Sequence, residues 1–261
     1  MTVSKHTLNW IDTQRPLQSW YCTSLGATIL CEMNTLLQDV LPDIFGYQGL
    51  QIGQLDPKYN LLECSGLHKK LVLGASAGFA GADLAGDALA LPIASDTMNL
   101  VILPHTLDFC TDPHQVLREA DRVLTRDGHL VIIGFNPWSL LGLRHLLFGW
   151  RATVPWDGEF YSRRRMSDWL SLLNFRTLDD TSFFLRFPIS SSRLLNKTRL
   201  MERARPMLGK LGGVYIIHAR KQSIPMTLAR QKWGRRSATA AVGSLVQRAH
   251  ERTARRERQP D

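Results

Sequence analysis

The chain has 261 residues, 44% of them hydrophobic, enough to bury the core of a sizeable domain. Its formal charge of +9 is local: eleven of the 32 Lys/Arg and three of the 23 Asp/Glu lie in 220–261, which leaves the first 219 residues at +1. The four cysteines form no CxxC pair or metal-ligand spacing, the N-terminus shows no apolar leader, and the longest apolar run falls short of 18 residues. The expectation is a cytoplasmic protein with free thiols, no metal and no membrane span.

Taken in chain order, Leu25, Ile29, Leu30, Met33, Leu36, Leu37, Val40 and Leu41 recur at steps of three, four and seven. That spacing predicts one amphipathic helix over 20–41, closed by Pro42, within an N-terminal helical extension of residues 1–44. A strand at 49–53 follows in the stretch "GLQIGQLD", then a short strand at Leu71–Leu73 closed by Gly74. The small-residue patch "GASAGFAGADLAGDA" is too rich in glycine for a long crossover helix, and a weak strand near 82–85 ends at Gly86-Asp87.

"MNLVILPH" (98–105) reads as a strand buried on both faces. Asp112 and Pro113 open a helix whose inner face is Val116, Leu117, Ala120, Val123 and Leu124, and "RDG" (126–128) ends it. A strand at 129–136, a helix at 164–173, a strand at 181–187 and a last strand at 212–221 follow. "SLLGLRHLLFGW" (139–150) reads as a cap helix over the sheet end, or alternatively as a lipid-facing segment. Alternation of strand and helix implies a mostly parallel sheet with helices on both faces, occupying 45–221. Residues 222–261 form a basic tail, expected to be flexible.

The segment 86–135 carries a family pattern. Asp87 stands before Leu91-Pro92, and a strand ends in His105-Thr106-Leu107-Asp108. Asp112-Pro113 then leads into Leu117-Arg118-Glu119-Ala120-Asp121-Arg122-Val123-Leu124, with Asp127-Gly128 beyond it. In order and spacing this resembles the second half of a class I S-adenosylmethionine-dependent methyltransferase domain of the methyltransferase-11 type. A weaker resemblance extends over about 45–221. The resemblance implies a Rossmann-like, doubly wound, seven-stranded sheet and S-adenosyl-L-methionine as cofactor. Its activity would be methyl transfer to an unidentified acceptor, with a small molecule favoured.

In such a sheet, ligands settle outside the carboxyl ends of the strands where the strand order reverses. The residues expected there are Gly53 and Gln54 at the end of the first strand, Asp87, Ala88 and Leu89, and His105. Asp87 is placed to accept from the adenine amine, or to act as a turn residue capping a local bend. Gly53 would admit the methionine portion, although "GQLD" carries one glycine where the family has more. The strand end "LVLGASAG" lacks the family's ribose acid, for which Glu63 or Asp83 are substitutes nearby. His105 either borders the reaction site as a base or is a backbone-bonded strand-end histidine. Asn136, Trp138 and Tyr161 line an acceptor pocket or serve as packing and turn residues. No metal and no particular catalytic residue are implied. Two rival readings remain open: a non-catalytic module that kept the sheet, and a nucleic-acid-associated protein using the basic tail.

Overall fold

A computed structural model of the chain describes residues 10–76, 78–143, 154–184 and 212–222. Seven strands form one sheet: β1 (Phe45–Ile52), β2 (Gly66–Gly74), β3 (Leu84–Ala85), β4 (Met98–Pro104), β5 (Leu124–Phe135), β6 (Phe175–Phe183) and β7 (Val214–Lys221). Their order is β3-β2-β1-β4-β5-β7-β6. β1 to β5 run parallel, while β7 lies antiparallel between β5 and β6. The chain winds outward from β1 to β3, then returns to start again at β4 beside β1. The strand order therefore reverses between β1 and β4.

Both faces of the central strands are buried, as the unbroken apolar run of β4 requires. Alternate side chains supply two cores. On one face, Leu50, Val101, Leu103 and Leu130 meet α3 (Pro113–Val123) and α4 (Arg163–Leu172). Asp112 caps α3 by accepting from Gln115 N, and Pro113 occupies its first turn without wasting a donor. On the other face, Leu100, Ile102, Val131 and Ile133 meet α2 (Ser24–Val40) through Leu25, Ile29, Met33 and Leu37. Each such aliphatic side chain contributes about 1.5–3 kcal/mol when fully buried.

The structure corrects several expected boundaries. The helix expected over 20–41 starts at Ser24, with Thr23 as its cap. A separate helix, α1 (Trp10–Tyr21), precedes it, and Pro16 inside α1 obscures its pattern. β5 begins directly at the end of α3, five residues before the expected start. β6 spans 175–183 instead of 181–187, because its Arg176–Thr181 half is largely solvent-facing and carries little apolar signal. Residues 140–143 are helical, but the rest of the expected cap helix and the basic tail beyond residue 222 lie outside the described residues.

No helix forms between β1 and β2. Side chains brace that loop instead. Gln51, fully buried in β1, donates from Nε2 to Gly53 O (2.8 Å) and Gln54 Oε1 (2.6 Å), and its Oε1 accepts from Leu61 N (2.9 Å). Gln54 Nε2 in turn donates to Asp56 O (2.8 Å) and Tyr59 O (3.2 Å). Two glutamines thus satisfy backbone groups that a helix would have paired internally.

Candidate functional site

The strand order reverses between β1 and β4, and their carboxyl ends are the usual ligand position in an open α/β sheet. Gly53 ends β1 with φ +98°, a conformation that costs glycine little and other residues considerably more. His105 ends β4 with φ +56°, uncommon for a residue carrying a Cβ. The floor between them is tied by Thr106 Oγ1, which donates to Ile52 O at 2.7 Å.

Across these strand ends lies α1. Its residues 10, 14, 17, 18 and 21 recur at helical spacing and share one side of the helix. Gln14 Oε1 accepts from Gln54 N at 3.2 Å, directly beside Gly53. Tyr21 OH lies 2.6 Å from His105 Nε2. Seven residues of helix rise about 10.5 Å, so α1 reaches from the end of β1 to the end of β4. Its ends join different cores: Trp10 packs in the cluster of Ile52, Leu73, Ala88 and Leu91, whereas Leu17 and Tyr21 belong to the cluster beneath α2. Trp10 is 2% exposed, yet its Nε1 has no hydrogen-bond partner among the described residues. A buried donor left unpaired costs about 1–3 kcal/mol.

At the β4 end, Tyr21, His105 and Asp108 form a buried chain. His105 Nδ1 lies 3.0 Å from Asp108 Oδ2, which also accepts from Phe135 N at 3.1 Å. An ionised carboxylate only accepts, so in the neutral tautomer that suits this chain the imidazole proton sits on Nδ1 and Nε2 accepts from the Tyr21 hydroxyl. The ring stacks on Phe135 with centroids 4.0 Å apart. Burial, and secondarily the Asp108 carboxylate, raises the Tyr21 hydroxyl well above its ordinary pKa. The same two causes push the Cys110 thiol up to about 12, which makes it a poor nucleophile.

The remaining expected residues are placed as follows. Asp87 Oδ1 accepts from Leu89 N (3.0 Å), and Asp87 O accepts from Ala90 N (3.2 Å), so the carboxylate does cap its own turn. Ala88 is fully buried in the same core cluster as Trp10, and Leu89 is half-buried. Gln54 is buried with its carboxamide held inside the loop. Asp83 Oδ2 accepts from Val72 N (2.9 Å), within β2 rather than at its end. Glu63 precedes β2 by three residues, at the amino end of that strand rather than the carboxyl end. Asn136 is buried and donates to Gly212 O (2.9 Å), whereas Trp138 is 75% exposed. Tyr161 is buried, donates to Glu159 Oε2 (2.8 Å) and packs on Trp169.

Gly53, Gln54 and His105 thus lie at the carboxyl ends of β1 and β4 under α1, whereas Ala88 is buried in the core that also holds Trp10, with Asp87 and Leu89 beside it in its turn. Sequence reasoning missed Trp10, Gln14, Tyr21 and Asp108. Asp108 was visible in the "PHTLDF" strand end, but the other three sit on a helix that Pro16 disguises. Among the described residues, no group of three His, Cys, Asp or Glu is placed to hold a metal, and no helix is long and apolar enough to cross a membrane.

Comparison with known proteins fits this architecture. Residues 47–132 match the family model described as a methyltransferase domain. The chain is 38% identical over 207 residues to the uncharacterized protein YafS of Escherichia coli K12, covering 78% of this chain and 81% of YafS. The chain belongs to the class I S-adenosylmethionine-dependent methyltransferases. The cofactor of this family is S-adenosyl-L-methionine. Among solved structures, a methyltransferase of Thermotoga maritima, described as a possible histamine N-methyltransferase, superposes with TM-score 0.61 at 16% identity, over 82% of this chain and 98% of that one. The [4+2]-cyclase SpnF superposes with TM-score 0.55 at 13% identity, over 83% and 98%. These two likenesses concern the fold. SpnF also shows that this architecture serves more than one reaction.

Proposed function

We propose that the chain binds S-adenosyl-L-methionine in the crevice between β1 and β4 and transfers its methyl group to a small acceptor. The observation that carries this reading is the Gly53 turn: a buried, positive-φ glycine at the end of β1, at the point of strand-order reversal, in a methyltransferase-family sheet. When bound, S-adenosylmethionine supplies an electrophilic methyl carbon on a sulfonium. The protein's contribution is then to bind, orient and exclude water. Gly53 lets the backbone approach the methionyl part. Ala88 and the apolar residues around it suit an adenine, with the Asp87 carboxylate at that turn as acceptor for its amine. The buried Tyr21–His105–Asp108 chain fixes α1 over the end of β4 and so helps to shape the acceptor side of the site. The cover of α1, Trp20 and Phe135 over the β4 end favours a small acceptor over a macromolecule.

A second reading has support of its own. Gln14 occupies the Gln54 amide, the Gln54 side chain is committed to its loop, and no acid stands at the end of β2. These features favour a methyltransferase-fold module that binds no cofactor. Calorimetric titration with S-adenosylmethionine and S-adenosylhomocysteine separates the two, together with mass spectrometry of small molecules released from the purified protein. Absence of heat and of released cofactor would overturn the enzyme reading. A role for the basic residues beyond 219 in binding nucleic acid is tested by comparing RNA affinity of the full chain and a 1–219 truncation at two salt concentrations.

A further inference from the structure

We infer that α1 is itself a wall of the cofactor site, with Trp10 and Gln14 supplying contacts that the one-glycine loop and the end of β2 do not. The inference rests on the cofactor reading above and deepens it. Three observations converge. Trp10 Nε1–H is buried in the core cluster that also holds Ile52, Leu73, Ala88 and Leu91, and it has no partner among the described residues. An indole N–H only donates, so its natural complement is an acceptor atom of the ribose or the adenine ring. Gln14, 2% exposed, places its carboxamide where a Cβ on Gly53 would be 3.1–3.2 Å from it. Its Oε1 holds the Gln54 amide, while Nε2 makes no hydrogen bond among the described residues. That leaves a donor beside the glycine turn, matched to the carboxylate of the methionyl part.

The division of labour is therefore specific. Trp10 reads the nucleoside and Gln14 reads the amino-acid end. Residues 10 and 14 lie one helical turn apart on the same side of α1, so one rigid element presents both.

The test uses the full-length protein and three ligands: S-adenosylmethionine, S-adenosylhomocysteine, and 5′-methylthioadenosine, which lacks the amino-acid end. Trp10→Phe, which keeps an aromatic ring and removes the donor, is expected to weaken all three about threefold to tenfold, the range for one lost hydrogen bond. Trp10→Phe also trims buried ring volume, so melting curves of the ligand-free variant measure that cost separately from the loss of affinity. Gln14→Ala is expected to weaken the first two ligands and leave 5′-methylthioadenosine unchanged. Wild-type affinities retained by both variants, or equal losses for all ligands in Gln14→Ala, would overturn the inference while the cofactor reading stands. If the wild type binds none of the three, the cofactor reading falls and takes this one with it. Should Trp10→Phe fail to fold, the Gln14→Ala ligand pattern decides alone.

Discussion

Tyr21→Phe removes one oxygen from the interior and is the sharpest probe of how α1 is held to the sheet. Tyr21 is 1% exposed and its hydroxyl meets His105 Nε2 at 2.6 Å. Phenylalanine keeps the ring in place against Trp20, whose centroid is 5.0 Å away. The change therefore isolates the hydrogen bond. It leaves Nε2 unpaired in a site that water does not reach, which costs about 1–3 kcal/mol. For a chain of this size each kcal/mol lowers the melting temperature by roughly 2–4 °C, so a fall of about 2–12 °C is expected. His105→Phe removes both ring nitrogens and leaves the Tyr21 hydroxyl and Asp108 facing an apolar ring, so it should cost more. In the double variant Tyr21→Phe/His105→Phe the cost should be less than additive, because the stranded hydroxyl has gone. Melting curves of the three variants by circular dichroism, on the full chain, measure this cycle. Strict additivity, or an unchanged melting temperature in Tyr21→Phe, would refute the claim that this contact pins α1 across the crevice.

Gly53→Val should cost the ligand-free protein about 1–3 kcal/mol, since φ +98° disfavours a β-branched residue and its Cβ would press on Gln14; it should also abolish S-adenosylmethionine binding, both read on the same preparation. Asp87→Ala removes the cap on the Leu89 amide and the acceptor assigned to the adenine amine, and should lower cofactor affinity by about 0.5–1.5 kcal/mol in a folded protein. Gln51→Leu, nearly isosteric, strands Gly53 O, Gln54 Oε1 and Leu61 N together and should destabilise the chain by several kcal/mol, at about 1–3 kcal/mol per buried unpaired group, as measured by urea unfolding. His218 pairs with His129 at 2.8 Å, and burial first, then His129, depresses the His218 pKa to about 4. The unfolded chain therefore gains a proton near pH 6.5 that the folded one refuses until about pH 4. Stability contributed by this site should fall as pH drops through that window, and His218→Asn should flatten the slope of melting temperature against pH.

The sheet was legible in the sequence because its central strands are buried on both faces. "MNLVILPH" and "HLVIIGF" have no polar alternation to confuse the reading, and Asp112-Pro113 marks the start of α3 without ambiguity. β6 was misplaced for the converse reason, since half of it faces solvent. The site was half legible. Gly53, Ala88 and His105 lie at strand ends, where chain order and topology together dictate what meets. Trp10, Gln14 and Tyr21 come to the same crevice from a segment with no strand-end signature, and their partners lie 40 to 84 residues away. No local pattern encodes such a contact. Asp87 shows a different limit: the turn-capping and ligand-accepting readings were framed as rivals, yet one carboxylate has two oxygens and can serve both.

The two departures from the family pattern, a single glycine and a short path from β1 to β2, have one structural cause. A helix between those strands would bury one apolar stripe on the sheet face and begin at the end of β1 with free backbone N–H groups. Here α2, contributed from before β1, lies on the face lined by Leu100, Ile102 and Val131. With that face covered, the β1–β2 connection needs only to close. Gln51 and Gln54 close it by satisfying the loop's backbone groups with their own side chains. A loop held this way does not need a run of glycines for close approach along its length, only at Gly53, where the backbone turns. The helix end that would have presented donors to a ligand is gone, however, and α1 stands in its place with Trp10 and Gln14 facing the crevice. The poor copy of the glycine motif is thus a consequence of covering the sheet from the N-terminal side, and it shifts the burden of ligand recognition from backbone amides to the side chains of α1.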